Sequence, residues 1–186
     1  MTQYALIDND GFFVEDVVLA AGETPTANHI TPPPGGDSGR YRHRWNRGSG
    51  VWEEGAPTEV VAAAQLAAKL ASIEDQRNRK LYSDVEVDFP SGPAVIQFRD
   101  ERDRTNLSNV TTAAIALTMS GQGNTLIDYR TLDNVTQQVP ASQFIAIAMT
   151  VLTAKQAVVK AAWQYKDTVR GLAAKELPAY DETAGW

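Results

Sequence analysis

The 186-residue sequence contains no cysteine and only two histidines, His29 and His43. Disulfide bonds and thiolate chemistry are therefore excluded, and two histidines in separate polar stretches do not have the ligand spacing of a zinc site. Basic charge is also in short supply, with 17 Lys and Arg against 23 Asp and Glu and a net charge of −6. That balance favours solubility and works against a broad nucleic-acid footprint, so a nucleic-acid partner is not expected and any basic patch has to be local. The apolar runs are interrupted well short of the ~20 residues that cross a bilayer, so no membrane span is expected. The opening residues Met1-Thr2-Gln3-Tyr4-Ala5-Leu6-Ile7-Asp8 lack the basic and long apolar regions of a signal peptide, and synthesis in a cytoplasm is the expectation.

What remains is the composition of an ordered protein, 43% hydrophobic and 22% charged. A chain of this length buries roughly 70% of its unfolded surface, enough for one sizeable core or two small ones. The pattern predicts an α+β fold in four parts. Residues 1–56 read as a small β-rich docking module, with strands over 4–8 and 12–19 around Asn9-Asp10-Gly11 and a second pair, 40–45 and 51–53, around a Gly-rich turn. Between the pairs, residues 22–39 carry Pro25, Pro32-Pro33-Pro34 and Gly35-Gly36, a composition for an extended arm that wraps or links. Residues 57–82 read as a connecting helix with Thr58 as its N-cap and a narrow apolar stripe at Leu66, Leu70 and Ile73. Residues 83–176 read as a domain of short hairpins and two longer helices, over about 100–120 and 141–174, and residues 177–186 as a tail.

Four motifs in the second half stand in fixed order: Val85-x-Val87-x-Phe89; Gln97-Phe98-Arg99-Asp100-x-x-Asp103-Arg104-x-Asn106-Leu107; Asp128-Tyr129-Arg130-Thr131-x-Asp133-Asn134; and Ala162-Trp163-x-x-Lys166-Asp167. Over roughly residues 75–170 the chain resembles a domain of unknown function found in tail-fibre and tail-fibre-assembly proteins of tailed bacteriophages. The resemblance implies a phage or prophage protein whose partner is a tail-fibre or baseplate subunit. It leaves two roles open: an assembly factor acting in the host cytoplasm, or a permanent component of the virion tail.

The candidate contact residues come from the residues themselves. Arg40, Arg42 and Arg44 alternate, with Arg47, Tyr41 and Trp45 beside them, as in a strand showing three guanidiniums on one face. Such a face suits an acidic protein partner or plain solvation better than a polyanion, given the acidic residues around it. Trp45 and Trp52 flank the Gly-rich turn as the core of a small β module, a docking element or a sugar-stacking platform. Leu66, Leu70 and Ile73 pack within the chain or, in a trimer, between chains.

Catalysis is not expected. Asp100, Glu101 and Asp103 each have an arginine neighbour, Arg99, Arg102 or Arg104, which favours ordinary ion pairs, and Asp100 is placed to cap the following helix. The segment 33–39 lacks the pattern of a phosphate loop and 128–134 lacks that of a calcium loop. No cofactor and no metal are expected. The reading is a non-enzymatic binding protein, with a glycan-binding module as the alternative of another class.

Overall fold

A carboxylate and a glycine make the first turn. Asp8 Oδ1 accepts the backbone N–H groups of Asp10 and Phe12, both at 2.9 Å, and Gly11 takes φ +88°, a left-handed conformation open to glycine at little cost. In the computed structural model, which describes residues 2–31 and 39–186, β1 (Gln3–Ile7) and β2 (Phe13–Val18) run antiparallel from this turn. β3 (His29–Ile30) pairs with the other edge of β1, so part of the expected arm is a strand. The Pro32-Pro33-Pro34-Gly35-Gly36 portion of that arm lies outside the described residues.

β4 (His43–Asn46) and β5 (Val51–Glu54) form a second hairpin with Trp45 directly opposite Trp52. The strand starts later than the expected Arg40. The Glu54 carboxylate accepts the N–H groups of Tyr41 and Arg42 at 2.7 and 3.0 Å, and the Arg42 carbonyl accepts the Gly55 N–H at 2.7 Å, holding the chain before His43 in a bend. Thr58, expected as a cap, is instead the first residue of α1 (Thr58–Leu81), and the Pro57 carbonyl accepts from Val60 and Val61. The chain is α+β and divides into two units, residues 1–65 and 66–186.

The second unit holds two more hairpins, β6 (Val85–Phe89) with β7 (Gly92–Ile96) and β8 (Leu126–Arg130) with β9 (Thr136–Pro140), and the helices α2 (Glu101–Met119) and α3 (Ala141–Gly171). Alternation sends Val87 and Phe89 inward while Glu86 and Asp88 stay in solvent. Both hairpins deliver their inward residues, with Ala114 of α2 and Phe144, Ile147, Ala148 and Val151 of α3, to one core. The rings of Phe89, Tyr129 and Phe144 follow one another through it, with centroids 6.4 and 5.1 Å apart. A hydrogen bond of 2.9 Å from the Leu132 N–H to the Val95 carbonyl joins the two hairpins.

α2 and α3 are antiparallel. The Gly123 and Thr125 carbonyls after α2 accept the Ser142 and Ala141 N–H groups at the start of α3, while Arg104 and Lys155 line one groove at the opposite end. The second half of α1 also runs antiparallel to α3. Lys166 pairs with Glu74, and Lys155 donates to the Lys80 and Ser83 carbonyls, meeting the negative end of the α1 dipole.

Residues 177–186, expected as a tail, are packed. Leu177 is buried in a short 3₁₀ turn, Leu177–Ala179. Lys69 donates to the Tyr180 carbonyl and to Glu182, and Trp186 stacks on Tyr165 with centroids 5.1 Å apart. A further correction concerns membranes. α3 is long and apolar enough, by length and composition, to cross one, because alanines bridge the interruptions between its larger apolar residues. Phe144, Ile147, Ala148, Val151, Ala162 and Val169 on one face of it are buried within the second unit, while 22% of its most apolar window is buried in all.

Candidate functional site

The aromatic and arginine residues of the first unit meet around the second hairpin. Trp45 and Trp52, opposite one another on β4 and β5, pack edge to face with centroids 5.4 Å apart. Trp52 also meets Phe13 and His43 edge-on at 6.4 and 6.2 Å. The rings thus form a half-buried cluster that joins the hairpin to β2. Edge-to-face packing at these distances uses the ring quadrupoles productively, and it does not leave two coplanar faces side by side as a flat platform would.

The arginines are dispersed by the late start of β4. Of Arg40, Arg42 and Arg44, only Arg44 lies in the strand, so the expected row of three guanidiniums on one strand face does not form. Instead, Arg42 sits over the Phe12 ring at 3.6 Å, and Arg44 approaches the same ring at 5.5 Å. Arg44 Nε donates to the Asp10 carbonyl at 3.1 Å, and its guanidinium lies 3.9 Å from Glu53. Arg47 reaches elsewhere, donating to the Ala27 carbonyl and to Asn28 Oδ1. Two glycines permit this packing. A Cβ on Gly11 would lie 2.6 Å from the Trp45 carbonyl oxygen, and one on Gly55 would lie 2.6 Å from the Phe12 ring.

Burial pushes the Glu54 carboxyl up, but the N–H groups of Ala56, Tyr41, Arg42 and Gly55 together hold it below its ordinary value. Next to Trp45 is a polar pocket of about 330 Å³ lined by Asn9, Asp10, Arg44, Asn46, Arg47 and Glu53.

The apolar stripe of α1 separates in the structure. Ile73 is completely buried within its own chain, so it is not available to an intersubunit seam, while Leu66 and Leu70 are half-buried. Ile73 is covered because α3 and the C-terminal segment run beside this part of α1, an alignment with residues 92 to 113 positions away that the local stripe does not reveal.

The charged motif before α2 is a helix start. Asp100 accepts the Arg102 and Asp103 N–H groups at 2.8 and 3.2 Å, as its position suggested. The Arg99 guanidinium bonds to Asp103 and holds that carboxyl below its ordinary value. Arg104 pairs with Glu101 at 2.9 Å. The 128–134 motif is a turn. Thr131 Oγ1 bridges Asp133 and the Val135 carbonyl, and Asn134 takes φ +65°. Among the described residues, no group of three or more His, Asp or Glu side chains is placed to hold a metal ion.

Residues 63–184 match the family described as Domain of unknown function (DUF4376). The chain belongs to this family. The DUF4376 region extends beyond the motifs on both sides, takes in most of α1 and the packed C-terminal segment, and coincides closely with the second unit, 66–186. No curated protein and no solved structure matches the chain.

Sequence reasoning missed the exposed apolar positions of the DUF4376 unit. Trp163, part of the fourth motif, is 60% exposed, and Ile115, Met119, Met149 and Leu152 are exposed on α2 and α3. The available signal was helical spacing. Ile115 and Met119 follow Ser108 and Thr112 on the side of α2 away from Ala114.

Proposed function

We propose that the chain is a non-enzymatic phage tail protein that binds a tail-fibre or baseplate subunit and assists its assembly or attachment in the host cytoplasm. The observation that carries this reading is the order of motifs by which the sequence resembles tail-fibre and tail-fibre-assembly proteins. Those residues serve as a cap, ion pairs, a locked turn and core, roles that suit a scaffold. Docking then falls to the first unit. Its half-buried Trp45–Trp52 pair, with arginines around it, has the residue types that dominate protein interfaces.

Counting this protein against the fibre subunit in purified virions tests the role. Absence from particles, with co-purification of free fibre protein from infected cells, supports assembly. A fixed stoichiometric presence makes it a permanent tail component instead. The pocket beside Trp45 favours one other reading, a glycan-binding module, because it combines an aromatic ring with amide, carboxylate and guanidinium groups. Sugar binding lost in Trp45→Ala, with the fold retained and partner assembly unaltered, would displace the docking reading.

A further inference from the structure

α3 stops where its sequence favours going on. Its last residue, Gly171, does not take the left-handed conformation with which glycine commonly ends a helix. The next five residues, Leu172-Ala173-Ala174-Lys175-Glu176, all belong to the strongest helix formers, and the first sequence signal against a helix is Pro178. Yet Leu172 is extended, with φ −72° and ψ 143°, and the chain turns back along α3 until Trp186 lies on Tyr165. Local preference and tertiary structure disagree at this point, which marks a segment with a second conformation close in energy.

What overrides the local preference is the docking of residues 177–186. Leu177 is buried, Lys69 of α1 holds the Glu182 carboxylate at 2.7 Å, and the Trp186 ring stacks on Tyr165 of α3. The docked segment brings much of its own order. Asp181 accepts the Thr183 N–H and hydroxyl at 2.9 and 2.6 Å, and the Glu182 carbonyl accepts the Trp186 indole N–H at 2.8 Å. Among the described residues, no backbone-to-backbone hydrogen bond ties it to α1 or α3. Side chains hold it in place, so it can leave as a unit. Ile73, Ala162, Val169 and Leu177 are buried apart from the core that the hairpins, α2 and the first half of α3 share, and that core does not depend on the docked segment.

The link between α3 and the docked segment is lightly held. Residues 173–176 are exposed. The Glu176 carboxylate accepts the Ala173 N–H and the Ala173 carbonyl accepts the Glu176 N–H, both at 2.9 Å, and the Glu176 carbonyl accepts from Ala179 at 3.2 Å. A continued α3 replaces these local bonds with one helical bond per residue.

We infer that residues 172–176 form a two-state hinge, turned while 177–186 is docked and helical when it is released, so that α3 lengthens as the segment leaves α1. Five added residues extend α3 by about 7 Å at ~1.5 Å per residue and carry the segment off, leaving Lys69 without its carboxylate. This hinge does not depend on the phage reading.

The test uses the full chain, ¹³C,¹⁵N-labelled, in a saturation-transfer experiment that reads the chemical shifts of a minor state. The expected minor state has helical ¹³Cα shifts at 172–176 and unchanged shifts at 101–119 and 141–160. Lys69→Met, which leaves Glu182 unpaired, raises its population at least about tenfold. Lys69→Met combined with Leu177→Ser makes it the major state, with a gain in helical ellipticity near 222 nm and a red shift of Trp186 fluorescence. Random-coil shifts at 172–176 in the released state overturn the inference. So does a double variant that stays docked, or one in which the shifts at 101–119 and 141–160 collapse together with release, because the segment is then part of the core.

Discussion

The two units contain similar hairpins but differ in how they are held. In the first, Ala5 and Ile7 are buried, and the large rings of Phe13, Trp45 and Trp52 are only partly covered. Order there depends on directional contacts: carboxylate-capped turns, guanidinium over ring and glycines in close approach. In the second, both hairpins face two helices, and Phe89, Ile96, Phe98, Val139, Phe144 and Val151 share one core. A sheet of a few short strands has too little area to bury its own face, so it relies on specific geometry. Backing the same element with helices replaces geometry with area.

That contrast can be broken most severely in the second unit. Phe144→Ala removes a fully buried ring and is expected to cost about 3–5 kcal/mol by chemical denaturation. In the first unit, Gly11→Ala forces a side chain into φ +88° and against the Trp45 carbonyl. The expected loss is about 1–3 kcal/mol, confined to that unit. It should show as lost near-ultraviolet ellipticity from the tryptophan pair while the helical signal near 222 nm persists.

Asp100→Ala removes a cap and should cost about 1 kcal/mol, with Asp100→Asn costing less, measured as a shift in melting temperature.

Acid sharpens the comparison further. Burial pushes the Glu182 carboxyl up, but the Lys69 amine and other hydrogen-bond donors hold it below its ordinary 4.5. A depressed carboxyl contributes its stability above that value and loses it as pH falls through the folded value. Release of the C-terminal segment, followed by Trp186 fluorescence, is therefore expected below about pH 4.5 and should be weaker in Lys69→Met, which leaves the other donors in place. The smallest effect is expected for Trp163→Ser, within about 0.5 kcal/mol, since the ring is exposed on α3.

Much of the architecture was legible because its signals are local. The turn at Gly11, the hairpin over Val85–Phe89, the cap at Asp100 and the extents of α2 and α3 each come from neighbours in sequence. The misreadings share the opposite character. Alternation alone extended β4 back to Arg40, whereas a carboxylate twelve and thirteen residues away bends that segment. Residues 177–186 read as a tail, because their partners lie on an element distant in the chain; for the same reason the stripe at Ile73 left packing within the chain and between chains both open. The candidate sites fared the same way. The tryptophan pair is local to one hairpin, while the seat of residues 177–186 exists only once α1 and α3 align.

The pairing of α1 with the end of the chain has a consequence for synthesis. Lys69 meets Glu182 across 113 residues and Glu74 meets Lys166 across 92. At ~5–20 residues per second, a ribosome takes on the order of ten seconds to make the residues beyond α1. During that interval the helix has been made without its cover, and Leu66, Leu70 and Ile73 lack the partners that later pack beside them. Translation order thus gives this stripe a brief life as a surface, which closes only when the last residues arrive.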